Sequence, residues 1–224
     1  MTATRMAEAP LGLYGGTFDP VHLGHLRLAE EAVDALGLAG VRWIPAGQPL
    51  LRDAPRADAR TRLAMVRVAT EGNPRFSVDA AEVEAERPSY TVPTLERLRQ
   101  DNVLGGARPL VLLVGADAFT GMVSWHRWER LFELAHIGVA HRPGYRLEDA
   151  ALPSALAEQL AKRGGASPAD LRASPAGRIA TFAMTQLDIS ATRIRAALSK
   201  GESVRYLLPE ALLGYIQNHR LYTE

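Results

Sequence analysis

The sequence predicts an α/β fold of the Rossmann-like, doubly wound kind: a parallel sheet with helices on both faces and a small C-terminal helical part. Three observations carry this expectation. Short apolar runs of strand length alternate with longer segments whose apolar residues recur at helical spacing. Two of the runs stop at glycine, at Gly15-Gly16 and at Gly115-Ala116-Asp117, as strands do where their carboxyl ends meet a ligand. A chain of 224 residues with 47% hydrophobic content can bury the core of such a fold in one piece. Residues 1–9 read as a frayed tail and 10–224 as a single domain, with the helical portion from about 188 to 224 packed on it.

Composition removes several classes of function. There is no cysteine, which excludes disulfides, thiolate zinc sites, iron–sulfur clusters and cysteine nucleophiles, and is compatible with a reducing cytoplasm. The 26 basic residues are balanced by 25 acidic ones with no long block of either sign, so nucleic acid is not an expected partner. No apolar run approaches the length of a membrane span, and the first ten residues have no signal-peptide core. A Walker-type ATPase is excluded because no Gly-x-x-x-x-Gly-Lys-Ser/Thr run occurs.

Leu11, Leu13 and Tyr14 read as a buried strand ending at Gly15-Gly16, where missing side chains let the backbone turn sharply and approach a ligand. Beyond it, Leu26, Leu28, Ala29, Ala32, Val33 and Leu36 recur at helical spacing, so a helix starts near residues 22–24. Strand, glycine loop and helix N-terminus in that order offer an anion unpaired N–H groups and the positive end of a helix dipole. Residues 15–25 therefore read as a nucleotide-phosphate site with His22 and His25 at its mouth. A metal site is the rival reading for the two histidines. The absence of cysteine and of convergent acidic ligands in the motif disfavours it.

Residues 41–45 form the next buried run, and the resulting βαβ unit implies a parallel sheet. The loop at 46–55 carries Arg52, a phosphate candidate because it follows a strand. Residues 57–71 read as a helix with Leu63, Met65, Val66 and Val68 inside and with Arg60, Arg62 and Arg67 as solvated surface. A strand over 76–78 precedes a charged run, and Pro93 suits the first turn of a helix over 93–100, with Ser89 or Thr91 as cap. Tyr90 and Thr91 either cap and pack or border a substrate pocket.

Residues 110–114 are the clearest central strand, and Asp117 beyond it either caps the next helix or accepts hydrogen bonds from a sugar or base. Trp128, Leu131, Phe132 and Ala135 share core spacing, whereas Trp125 lies off that stripe, placed to stack on a flat ring. A strand over 137–140 delivers Arg142 to the same edge of the sheet. Residues 148–177 hold one helix, 152–163, and 179–182 make the last strand. Ser190 as N-cap, with Thr192 in the first turn and Arg195 nearby, supplies donors for a second phosphate. Pro209 opens a final helix that packs through Leu212, Leu213 and Ile216. The lone histidines His126, His136 and His219 read as structural.

The run Gly15-Gly16-Thr17-Phe18-Asp19-Pro20-x-His22-x-Gly24-His25, followed near the C-terminus by Ile189-Ser190-Ala191-Thr192-x-Ile194-Arg195, resembles the paired signature of HxGH nucleotidyltransferases. Between them, Pro88-Ser89-Tyr90-Thr91-x-x-Thr94-Leu95, Gly115-Ala116-Asp117, Trp125, Arg142-Pro143-Gly144-Tyr145 and Leu208-Pro209-Glu210 are similar to the bacterial nicotinate-mononucleotide adenylyltransferases. The resemblance covers nearly the whole chain after the tail. It implies transfer of AMP from ATP to nicotinate mononucleotide, with a nicotinamide mononucleotide or phosphopantetheine acceptor, or a catalytically silent nucleotide-binding protein, as alternatives.

By the same resemblance His22 and His25 are the catalytic pair, with His25 at the α-phosphate. Gly15, Gly16, Thr17 and Phe18 line the ATP loop, Ser190, Thr192 and Arg195 hold the β- and γ-phosphates, and Gly115 and Asp117 contact nucleotide ribose or base. Tyr90, Thr91 and Trp125 border the pyridine pocket, and Arg52 and Arg142 make phosphate-side contacts. Mg²⁺ is implied as an ion carried by substrate phosphates and water, not by a protein cage. The implied partners are ATP and nicotinate mononucleotide, with no nucleic acid and no membrane; a homo-oligomer is compatible. Two departures stand out: Pro49-Leu50-Leu51-Arg52 replaces a Pro-Pro-His-Lys-like run, and Pro93 replaces a commonly acidic residue.

Overall fold

Six segments form strands: β1 (Leu11–Gly16), β2 (Gly40–Pro45), β3 (Phe76–Val78), β4 (Leu110–Gly115), β5 (His136–His141) and β6 (Ile179–Ala183). The computed structural model describes residues 8–49, 54–85, 87–101, 106–144, 147 and 151–223. In it the strands make one six-stranded sheet in the order β3-β2-β1-β4-β5-β6. That is the strand order of doubly wound nucleotide-binding folds, so the expected fold class holds. Pairing of β1 with β4, β4 with β5 and β5 with β6 is parallel, with Leu13 opposite Leu112 and Val114 opposite Val139. β4 and β5 are buried up to their last residue, as continuous apolar runs covered on both faces should be.

The helices are α1 (Leu23–Leu36), α2 (Ala59–Thr70), α3 (Ala81–Glu84), α4 (Thr91–Gln100), α5 (Ala116–Thr120), α6 (Leu131–Leu134), α7 (Ser154–Arg163), α8 (Pro168–Ala173), α9 (Ala191–Ser199) and α10 (Glu210–Asn218). No described helix is long and apolar enough to cross a membrane. Contacts group the chain into two compact units. One comprises Met1–Leu13, Glu31–Val41 and Tyr90–Met184, and the other Tyr14–Glu30, Arg42–Ser89 and Thr185–Glu224.

In the first unit α4 begins at Thr91, two residues ahead of the expected start, so Pro93 still falls in the first turn where its missing N–H costs little. The expected caps are corrected: Tyr90 holds the N-cap position without a side-chain bond, and neither Ser89 nor Thr91 caps. Among the described residues 151–177 there are two helices, α7 and α8, where one was expected. The second, α8, is set by a capping box in which the Ser167 hydroxyl accepts from Asp170 N and the Asp170 carboxylate accepts from Ser167 N. His136 is structural as expected: it is fully buried, with its ring nitrogens bonded to Ser174 O at 2.8 Å and Arg178 N at 3.0 Å.

In the second unit Asp58 caps α2 by accepting from Thr61 N at 2.8 Å, and α10 packs on α2 with Leu212, Leu213 and Ile216 buried. Arg62 corrects the reading of this helix. It is 1% exposed, and its guanidinium donates to Thr17 O at 2.7 Å, Gly47 O at 2.9 Å and Ala57 O at 3.2 Å. A cation buried among three carbonyl acceptors is affordable where one facing only apolar groups would not be. Burial pushes its pKa below the ordinary arginine value, with Asp19 opposing the shift.

Candidate active site

The loop that follows β1 is built on an aromatic cluster. Tyr14, Phe18 and the fully buried Trp43 lie with ring centroids 5.1–5.5 Å apart. Phe18 adopts φ 52, a left-handed conformation that costs a non-glycine residue about 1–2 kcal/mol. Its edge contacts with Tyr14 and with His25, at 5.2 Å, offset that cost at about 0.5–1.5 kcal/mol per aromatic pair. Gly16 is required by this arrangement, because a Cβ there would come within 2.8 Å of the Phe18 ring.

At the start of α1 the two imidazoles stack, with centroids 3.7 Å apart and planes 23° from parallel. Gly24 leaves the space for this, since a Cβ would sit 3.1 Å from His22 Nδ1. His22 N donates to His25 Nδ1 at 3.2 Å, which places the proton of neutral His25 on Nε2. His22 is 6% exposed, its Nδ1 has no partner, and burial pulls its pKa down to about 4. At neutral pH the pair therefore meets an anion as polar donors with no imidazolium charge on His22.

The second motif reaches this loop. Ser190 caps α9 as expected, its hydroxyl accepting from Arg193 N at 3.3 Å. Arg195, one turn on, donates to the Asp19 carbonyl oxygen at 2.7 Å and to Thr192 Oγ1 at 3.4 Å. Arg195 is partly exposed, whereas Ser190 and Thr192 are exposed, so donors of the two signature motifs gather around one loop.

Asp19 is the residue that sequence reasoning missed. It is 6% exposed, and its carboxylate accepts from Arg56 N at 2.7 Å, Ala57 N at 3.2 Å and the Tyr222 hydroxyl at 2.6 Å. Its place inside the motif was the available signal. Arg62 and Tyr222 left none, because their bonds to this loop, to Thr17 O and to Asp19, span 45 and 203 residues of sequence. Ser89 was read as a helix cap; its hydroxyl instead accepts from Gly47 N at 2.9 Å and Gln48 N at 3.3 Å.

The remaining described candidates belong to the other unit. Gly115 ends β4 and caps α5, the exposed Asp117 lies in the first turn of α5, and a Cβ on Gly115 would meet nothing within 4 Å. Arg142 is exposed just beyond the carboxyl end of β5. Tyr90 packs on His126 at 4.7 Å, which puts Thr91 and the half-buried Trp125 on adjoining positions of chain. Arg52 lies outside the described residues. No group of three or more potential metal-ligating side chains lies together among the described residues.

A doubly wound sheet, a glycine loop with a histidine pair at a helix N-terminus, and a second capped helix bearing arginine define a nucleotidyltransferase. The cytidylyltransferase-like family matches residues 13–197. A chain from Dechloromonas aromatica named as a probable nicotinate-nucleotide adenylyltransferase is 61% identical over 213 residues, covering 95% of this chain and 97% of that one. One of the same name from Pseudomonas putida is 47% identical over 212 residues, covering 95% and 94%. The solved Plasmodium falciparum nicotinic acid mononucleotide adenylyltransferase complexed with NaAD shares the fold, with TM-score 0.70 at 13% identity, covering 96% of this chain and 98% of that one. The chain belongs to the nicotinate-nucleotide adenylyltransferase family.

Proposed function

We infer that the chain transfers AMP from ATP to nicotinate mononucleotide, giving deamido-NAD and pyrophosphate. The observation that carries this reading is the 2.7 Å bond from Arg195 to the Asp19 carbonyl, which ties the second signature motif to the loop holding the stacked histidines. A phosphate oxygen of the mononucleotide attacks the α-phosphorus of ATP in line, the bond to the bridging oxygen breaks, and pyrophosphate leaves. No enzyme nucleophile is needed, so the protein's work is to position two anions and stabilise charge on the transferring group.

His25 Nε2–H donates to the α-phosphate as charge builds there, and His22, held neutral by burial, adds a second polar donor. Gly15 to Phe18 line the ATP loop, with Ser190, Thr192 and Arg195 at the β- and γ-phosphates. Gly115 and Asp117 contact the nucleotide. Tyr90, Thr91 and Trp125 receive the pyridine ring, and Arg52 and Arg142 attend its phosphate. Residues 10–224 act together as one catalytic domain, and the lack of cysteine suits work in the cytoplasm.

Mg²⁺ accompanies ATP. Asp19, the one carboxylate of the motif, is already taken up by three donors, so the residues present fit an ion held by phosphate oxygens and water. When bound it neutralises charge on the phosphates. The test is pyrophosphate release from ATP: it should depend on nicotinate mononucleotide, and its absence with that acceptor overturns the reading.

A further inference from the structure

The ATP loop is held from behind by one buried side chain. Arg62, in the first turn of α2, is 1% exposed, and three of its nitrogens reach three separate stretches of backbone. Nη1 donates to Thr17 O at 2.7 Å, Nη2 to Gly47 O at 2.9 Å and Nε to Ala57 O at 3.2 Å. Two of these acceptors belong to residues that are themselves pinned. Gly47 N donates to Ser89 Oγ at 2.9 Å, and a Cβ on Gly47 would lie 2.2 Å from Glu82 O. Ala57 N donates to Asp19 Oδ1 at 3.2 Å. Gly47 and Ala57 thus make a frame, and Arg62 ties Thr17 to it.

The residues on either side of Thr17 are fixed by other means. Gly16 O accepts from Ala46 N at 2.9 Å, and Phe18 is set at φ 52 within the aromatic cluster. The peptide between Thr17 and Phe18 is planar and trans, so its C=O and N–H are directed oppositely. With the oxygen seated on Arg62, on the closed side of the loop, the N–H turns away from that side. Flipped, the same peptide would set a carbonyl lone pair against phosphate oxygens. The guanidinium also draws electron density toward the carbonyl oxygen, which makes the N–H of that peptide a stronger donor to an anion.

We propose that Arg62 is a positioning residue for ATP: its three-way bond holds the Thr17–Phe18 peptide in the orientation that receives a phosphate. The inference rests on the adenylyltransferase reading above, which puts ATP on this loop. A lysine keeps the charge but gathers its donors on one nitrogen, so it cannot span three carbonyls on separate segments. Arg62→Lys therefore weakens ATP binding by roughly tenfold and leaves the acceptor unaffected.

The experiment is calorimetric titration of the full chain with ATP, with KM for nicotinate mononucleotide read from pyrophosphate release. It compares the wild type, Arg62→Lys and Val66→Ala, which opens a cavity at a fully buried position of the same helix and serves as the control for lost stability. The proposal predicts the loss of ATP affinity in Arg62→Lys alone, with the acceptor KM within twofold of wild type. Unchanged ATP affinity in Arg62→Lys, an equal loss toward both substrates, or the same loss of ATP affinity in Val66→Ala would each overturn it. Should Arg62→Lys not fold, Arg62→Gln takes its place with the same expected loss. Failure of both to fold would also overturn the proposal, by making the guanidinium a support of the fold itself. Wild-type protein that binds ATP but forms no deamido-NAD would instead overturn the functional reading, so the two failures are distinct.

Discussion

His25 accepts the His22 N–H at Nδ1 and so presents Nε2–H, the group to which the account gives charge stabilisation in the transition state. His25→Ala should lower kcat by on the order of 10²-fold with the fold retained, as judged by steady-state turnover and circular dichroism. His22 makes a prediction about stability. Its folded pKa of about 4 lies below its ordinary value of 6.5, so between these two values the unfolded chain binds the extra proton and folding loses ground. This contribution is fully present above pH 6.5 and fades as pH falls toward 4. Thermal midpoints measured across that range should fall for the wild type and fall less for His22→Asn. Trp125, half-buried and off the core stripe, is assigned to the pyridine ring. Trp125→Ala should raise KM for the mononucleotide more than for ATP; equal rises would make it a packing residue.

Two helices distinguish a cap that only stabilises from one to which the proposed function also gives a role at ATP. Ser167 and Ser190 each accept the N3 backbone N–H of their helix, α8 and α9, at 3.3 Å. Replacing either with alanine should cost about 1 kcal/mol of stability, read by denaturant titration. Ser190→Ala should in addition raise KM for ATP, whereas Ser167→Ala should leave both KM values and kcat at wild-type levels. The α8 cap was itself legible as Ser167-Pro168-x-Asp170, a capping box with proline at the first helical position. The α2 face was less accessible to reasoning from sequence. Nothing local distinguishes Arg62, buried on three carbonyls, from the neighbouring arginines at the same spacing.

Across the whole molecule, what the sequence makes legible is whatever is encoded locally. The apolar runs of β1, β4 and β5, the helix beginning beside His22, the Ser190 cap and the packing face of α10 all follow from periodicity and capping chemistry within about one element. The paired histidine and serine motifs carried the function because the chemistry of phosphate binding fixes residue types at short spacing. What stayed hidden depends on residues far apart in the chain. Asp19 is joined to Arg56, Arg195 and Tyr222, and no pattern of hydrophobicity or spacing encodes a bond across 203 residues. The acceptor side is the least local of all, since a nicotinate carboxylate can be read by backbone N–H groups that leave no mark on side-chain identity.

The central claim is therefore the identity of the acceptor, and it is tested most directly by competition. The protein is given ATP radiolabelled at the α-phosphate, with Mg²⁺ and equal concentrations of nicotinate mononucleotide, nicotinamide mononucleotide and phosphopantetheine, and the labelled products are separated. The account predicts label in deamido-NAD, with one pyrophosphate released for each label transferred. Label chiefly in NAD or dephospho-coenzyme A, or no transfer at all, would contradict it.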